Sequence, residues 1–179
     1  QAMPLLAAHR DKIRLDDKLF VRVKEVYDRR AALGLDAEQM RLLQKTYDSF
    51  VRAGALLDAE QKARLKEING QLSLTAVKFG NNILAENNNF VLELKSDELD
   101  GLPAGIRDAA REKARQMGKG DKWVFTLHKP SLIPLLTYST RRDLREKIYK
   151  AYLNRCNNGD EYDNKALVND YIRLRTEKA

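Results

Sequence analysis

Apolar residues along this chain recur mostly three and four positions apart, the spacing of helices that bury one face. Asp16 and Asp17 precede Leu19, Phe20, Val23, Val26 and Tyr27, which predicts a helix from about residue 17 to Leu33, ended by Gly34. Asp36 then fits an N-cap, and Gln39 stands three residues on, as a capping box requires. Leu35 and Met40 suit a hydrophobic staple, and the stripe Met40, Leu43, Tyr47, Phe50, Val51 runs to Gly54. The letters LDAEQ return at Leu57–Gln61, where Asp58 caps a third, long helix. Its inner face is Leu65, Ile68, Leu72, Phe79 and Ile83, and the second and third helices form an antiparallel hairpin.

The period changes after that. Clustered Asn at Glu86–Asn89 predicts a turn. Phe90–Leu94 and Lys122–Leu127 read as two short β-strands, paired antiparallel. Between them, Pro103 suits the first position of a helix over Ala104–Met117, and Gly118 suits its end. Pro130 and Pro134 predict an extended or irregular segment. A helix from Ser139 or Thr140 carries the stripe Leu144, Ile148, Tyr152, Cys156, and a last one starts near Asp160–Asp163 with Leu167, Val168, Tyr171, Ile172 and Leu174. The expected fold is mainly α: antiparallel helical hairpins with a small two-stranded antiparallel β element. Residues 1–179 form a single helical body, with long helices over 1–85, the β element and its inserted helix over 86–130, and the C-terminal helices over 131–179. The last helix shows no stop signal at Ala179 and the chain opens on Gln1, so a cut from a longer protein is expected.

Composition sharpens this only a little. Of 179 residues, 43% are hydrophobic and 33% charged, which suits a packed helical chain and argues against disorder. No apolar run reaches the ~20 residues that cross a bilayer, and no cationic segment precedes a sustained apolar one. No membrane partner is therefore expected. Lys and Arg number 33 against 26 acids, a net charge of +7. An independent basic helical module for nucleic acid or an acidic protein is one reading of that excess. Because acids are interspersed almost everywhere, a solvated helical surface is the other, and no nucleic-acid partner is expected.

Candidate chemistry is sparse. His9 and His128 are the two histidines, and they fall in different elements. Cys156 is the lone cysteine and reads as a small core residue. Zinc sites need several close ligands, so none is expected within this chain. Ser131, His128 and an acid could be arranged as a triad, but no nucleophile elbow or oxyanion glycine surrounds Ser131. The glycines and lysines of Met117–Lys122 lack phosphate-loop spacing and precede a strand. Acid pairs such as Asp16/Asp17 and Asp97/Glu98 sit at helix starts, where they meet the positive end of the dipole. The helix with Arg141, Arg142, Arg145, Lys147 and Lys150 is the remaining candidate. It is either a solvated face, with Asp143–Lys147 and Glu146–Lys150 pairs, or a site for an anionic or peptide carboxylate group.

Three stretches together carry a resemblance. LTAVKFGNNIL (Leu74–Leu84), LDGLPAGI (Leu99–Ile106) and WVFTLHKPSLIPLLTYSTRRDLREKIYKAYLNR (Trp123–Arg155) resemble, in content and order, the thimet-oligopeptidase and peptidyl-dipeptidase family of zinc metallopeptidases, its bacterial peptidyl-dipeptidases above all. Leu132 stands where that family usually has an aromatic residue, and the closing NDYIRLRTEKA resembles a helix that runs on towards the catalytic half. The resemblance implies a parent enzyme that cleaves short peptides in a channel between two mainly helical halves, using zinc held by an HExxH helix and a downstream Glu. Those residues match no position here. The implied role is a non-catalytic, channel-wall fragment, inactive alone, that partners the remaining catalytic half. No catalytic, cofactor-binding or metal residue is assigned.

Overall fold

The computed structural model describes residues 2–179. Among them the chain forms helices α1 (Ala2–Arg14), α2 (Asp17–Asp28), α3 (Ala37–Arg52) and α4 (Ala59–Asn89), then strand β1 (Leu92–Leu94). Helix α5 (Ala104–Gln116), strand β2 (Trp123–Phe125) and helices α6 (Lys129–Tyr138), α7 (Arg142–Leu153) and α8 (Lys165–Lys178) follow. The mainly α class with one antiparallel strand pair is as the periodicity predicts. Among the described residues no helix is long and apolar enough to cross a membrane. The chain divides into two compact units, one up to Val77 with Asn169–Ala179 and one over Lys78–Val168.

In the first unit, local capping sets the helix starts. The Asp16 side chain accepts the Leu19 N–H at 2.8 Å. Asp36 and Gln39 close a reciprocal box at 2.8 and 3.1 Å, and Asp58 and Gln61 repeat it at 2.8 and 3.2 Å. Such caps satisfy N–H groups that no helical carbonyl can reach. The predicted 17–33 helix is shorter: α2 stops at Asp28 and a 3-10 turn, Arg30–Ala32, follows. Helix α2 packs on α3 through buried Phe20 and Phe50, with Tyr27 and Tyr47 stacked at 3.9 Å between centroids. After α3 the chain turns at Gly54, whose φ is +99°; a Cβ there would meet Leu65 Cδ2 at 2.7 Å. The turn therefore needs glycine for conformation and for space.

The periodicity assigned no helix ahead of Asp16, and α1 is the addition. Asp11 on α1 accepts from Asn69 at 2.9 Å, and Arg14 donates to Ser49 at 2.6 Å while lying 5.0 Å over the Phe50 ring. Leu174 of α8 is buried with Ile68 and Leu72 of α4, and the Arg64 fork grips Glu177 at 2.6 and 2.9 Å.

The second unit is built on the strand pair, with Leu92 opposite Phe125 and Leu94 opposite Trp123. Its core gathers Leu92, Leu94, Leu99, Leu102, Phe125, Leu127, Leu132, Leu135, Leu144 and Ile148. Helix α5 connects the strands and covers β2. Burying these side chains contributes ~1.5–3 kcal/mol each before ordering costs.

Three expectations are overturned here. The Glu86–Asn89 segment is helical, the end of α4, not a turn. Its polar side chains find distant partners: Glu86 accepts the Cys156 N–H and an Asn158 amide, and Asn87 accepts from Arg155 at 3.0 Å. Tertiary hydrogen bonds thus override the local turn preference of asparagine. The Pro130–Pro134 segment is also helical, as α6. Pro130 falls in the first turn, where its missing N–H has no helical acceptor to lose, and Pro134 one turn later removes a single rung. Cys156 lies beyond α7 and not on its stripe, at φ +58°. Its N–H is held by Glu86, and its carbonyl accepts the Asn164 N–H at 2.8 Å.

Candidate functional site

Helix α7 presents two faces. One is the stripe Leu144 and Ile148, both buried, with Tyr152 packed against the same core. The other lines an open concavity of about 690 Å³ with Leu136 of α6: Arg142, Arg145, Glu146, Tyr149, Lys150, Leu153 and Asn154. Tyr149 and Leu153 are 50% and 59% exposed, large apolar side chains on what a single stripe would make the polar side. Their i, i+4 spacing, offset by one residue from Leu144, Ile148 and Tyr152, is visible in the sequence and marks the second face.

The cations of α7 differ in their engagement. Arg141 forks onto Asp143 at 2.9 and 2.8 Å, which holds the Asp143 carboxyl below the usual carboxylate range. Asp143 is thereby taken by Arg141, so the expected Asp143–Lys147 pair is replaced. The expected Glu146–Lys150 pair forms at 2.6 Å and pulls the Glu146 carboxyl down. Arg155 hydrogen-bonds Asn87 and stacks 3.8 Å over Tyr152. Among the described residues Arg142 and Arg145 make no ion pair, and both line the concavity. This arrangement can take a carboxylate through two guanidinium groups, with apolar surface beside it.

The other candidates engage locally. The Ser131 hydroxyl accepts the Thr126 N–H at 2.9 Å, and His128 Nδ1 lies 3.3 Å from Thr126 Oγ1. Both side chains are thus turned towards Thr126 at the start of α6. His9 sits on α1, in the other unit. Lys119, in the turn before β2, pairs with Glu93 at 2.9 Å. Burial, with the Glu86 carboxylate adding to it, pushes the Cys156 thiol up to about 11. Among the described residues no three of His, Cys, Asp and Glu gather as a metal cage.

No family model matches the chain. Relatives do. It is 33% identical over 175 residues to the dipeptidyl carboxypeptidase of Escherichia coli K12, covering 97% of this chain and 26% of that protein. It is 32% identical over 152 residues to the organellar oligopeptidase A of Arabidopsis thaliana, covering 81% of this chain and 19% of the relative. Against the oligopeptidase A of Haemophilus influenzae it is 33% identical over 147 residues, 79% of this chain and 21% of the relative. The chain thus spans about a quarter of the length of the relatives it matches. On this kinship the chain belongs to the thimet-oligopeptidase family, with the dipeptidyl carboxypeptidases and oligopeptidases A.

Proposed function

We propose that this chain is a channel-wall and scaffold portion of a zinc-dependent peptidyl-dipeptidase-like oligopeptidase that hydrolyses short peptides. The observation that carries the reading is the 33% identity to a dipeptidyl carboxypeptidase along 97% of this chain. The catalytic zinc of such an enzyme does not fit here: His9 and His128 lie in different units, and among the described residues no acidic or thiol group completes a ligand set around either. The metal-activated water belongs to residues outside this sequence, and this chain supplies packed helices and peptide-facing surface. Its partner is then the catalytic remainder of the same polypeptide.

Two measurements test the proposal. The 179-residue chain, given zinc and a quenched short peptide, is expected to show no turnover that EDTA abolishes; such turnover overturns the scaffold assignment. Exchanging the matched 175-residue stretch of the Escherichia coli enzyme for this chain is expected to leave EDTA-sensitive peptide cleavage in a folded, zinc-loaded chimera. A folded, loaded, inactive chimera overturns the channel-wall role.

A further inference from the structure

The loop between α7 and α8 sets a labile pair of residues against two carboxylates. Asn158 and Gly159 lie in an exposed bend outside any helix, where water reaches both. Gly159 has a φ of +72°, and a Cβ built on it would meet nothing within 4 Å. The residue after Asn158 thus carries no side chain to keep its backbone nitrogen from the asparagine amide carbon. Two charged acceptors hold the pair in the native loop. The Asn158 amide donates to Glu86 Oε1 on α4, and the Gly159 N–H donates to Asp163 Oδ2 at 2.8 Å. Glu86 is the same carboxylate that accepts the Cys156 N–H, so the bend and the residue ahead of it share one anchor. The other Asn-Gly pair of the sequence, Asn69–Gly70, sits inside α4, where the helical ladder fixes the Gly70 nitrogen.

We infer that Asn158 is a site of spontaneous deamidation, restrained by Glu86 and Asp163, and that its product drives the loop off Glu86. When the bend opens, the Gly159 nitrogen, its proton passed to solvent, adds to Asn158 Cγ. The new Cγ–N bond forms as the Cγ–Nδ2 bond breaks, and the amide nitrogen takes a proton from water and leaves as ammonia. Water then opens the cyclic imide at either carbonyl, giving Asp or isoaspartate, with no oxidation or reduction. Both native hydrogen bonds oppose the first step. Asp163 stabilises the N–H that must lose its proton, and Glu86 holds the amide towards α4. Afterwards a carboxylate faces Glu86 where an amide had donated, so a hydrogen bond is replaced by like charges. The reaction needs only water and residues of this chain, so it stands apart from the proposed peptidase role.

The test is prolonged incubation of the 179-residue chain at pH 8, with peptide mapping by mass spectrometry to locate amide-to-acid conversion and to separate Asp from isoaspartate. Conversion is expected at Asn158, in both products and ahead of Asn69. In guanidinium chloride the two sites are expected to convert at similar rates. Asn158 then runs about tenfold or more faster than in the native chain, the factor that losing a hydrogen bond to a charged group gives. Glu86→Gln and, separately, Asp163→Ala are each expected to speed Asn158 while Asn69 stays slow. An Asn158 that remains intact while other asparagines convert overturns the inference. So does a lone Asp product, which excludes the imide, or an unchanged rate in both variants. Equal acceleration at Asn69 overturns it too, since that marks general unfolding and not release of the bend. The consequence is read in Asn158→Asp, expected to lower the urea midpoint, and to lower it less when residue 86 is Gln. Equal loss in the two backgrounds overturns the repulsion from Glu86.

Discussion

Removing the Glu86 carboxylate takes the acceptor from the Cys156 N–H and from the Asn158 amide at once. Glu86→Ala is expected to cost ~1.5–3 kcal/mol, the scale of hydrogen bonds to a charged group, read as a lowered urea midpoint with an unchanged slope. The same environment governs the neighbouring thiol. Burial first, then Glu86, keeps Cys156 protonated to about 11, against 9.0 for an ordinary thiol. Alkylation by iodoacetamide at pH 8 is therefore expected to be on the order of 100-fold slower in the folded chain than in urea. The native state then holds a proton that the unfolded chain releases. This contribution to stability is present below pH 9 and is lost as pH rises towards 11. At Gly101, φ is +80° and a Cβ would lie 2.2 Å from the Tyr138 carbonyl oxygen. Gly101→Ala forces backbone apart at the end of α6, and a loss on the order of 3 kcal/mol is expected in chemical unfolding.

Among the elements, α8 begins at a buried lock. The Asn164 side chain accepts from Asn82 at 2.8 Å and donates to the Phe79 carbonyl at 3.3 Å, both on α4. Asn164→Ala leaves the Asn82 amide without its acceptor and removes the second bond to the Phe79 carbonyl at a residue that is 3% exposed, and about 2–3 kcal/mol of destabilisation is expected by calorimetry. Asn164 illustrates what a linear reading misses, because its partners lie more than eighty positions away. What could be read was local. The Asp36/Gln39 and Asp58/Gln61 boxes, the β1–β2 pairing and the inserted α5 all follow from signals within a few residues. The helical end of α4 did not follow, since Asn88 and Asn89 favour turns until Glu86 and Asn87 find partners near Cys156. Helix α6 was hidden because two prolines argue against a helix unless its start is known to fall at Lys129. Among the described residues of helix α1 none is buried, so its pattern shows no core-facing stripe. The candidate groove was half legible: the cations of α7 stand out, whereas the apolar pair Tyr149 and Leu153 needed a second stripe to be sought on the same helix.

At the scale of the molecule, the net charge is +7, with acids interspersed along the chain. Arg64, Arg141, Lys24, Lys62 and Lys150 all lean on acids, while most of the other Lys and Arg residues make no ion pair among the described residues. With no ligand cage among the described residues, neither zinc nor EDTA is expected to move the melting temperature of this chain. A shift with either would place a metal where the packing offers none. The double-sided design of α7 has a corollary for mutation. Leu144 and Ile148 pack in the core, while positions 142, 145, 149 and 153 line the concavity on the other face. Substitutions at those four positions are therefore expected to disturb the fold less than changes at Leu144 or Ile148 on the same twelve-residue helix.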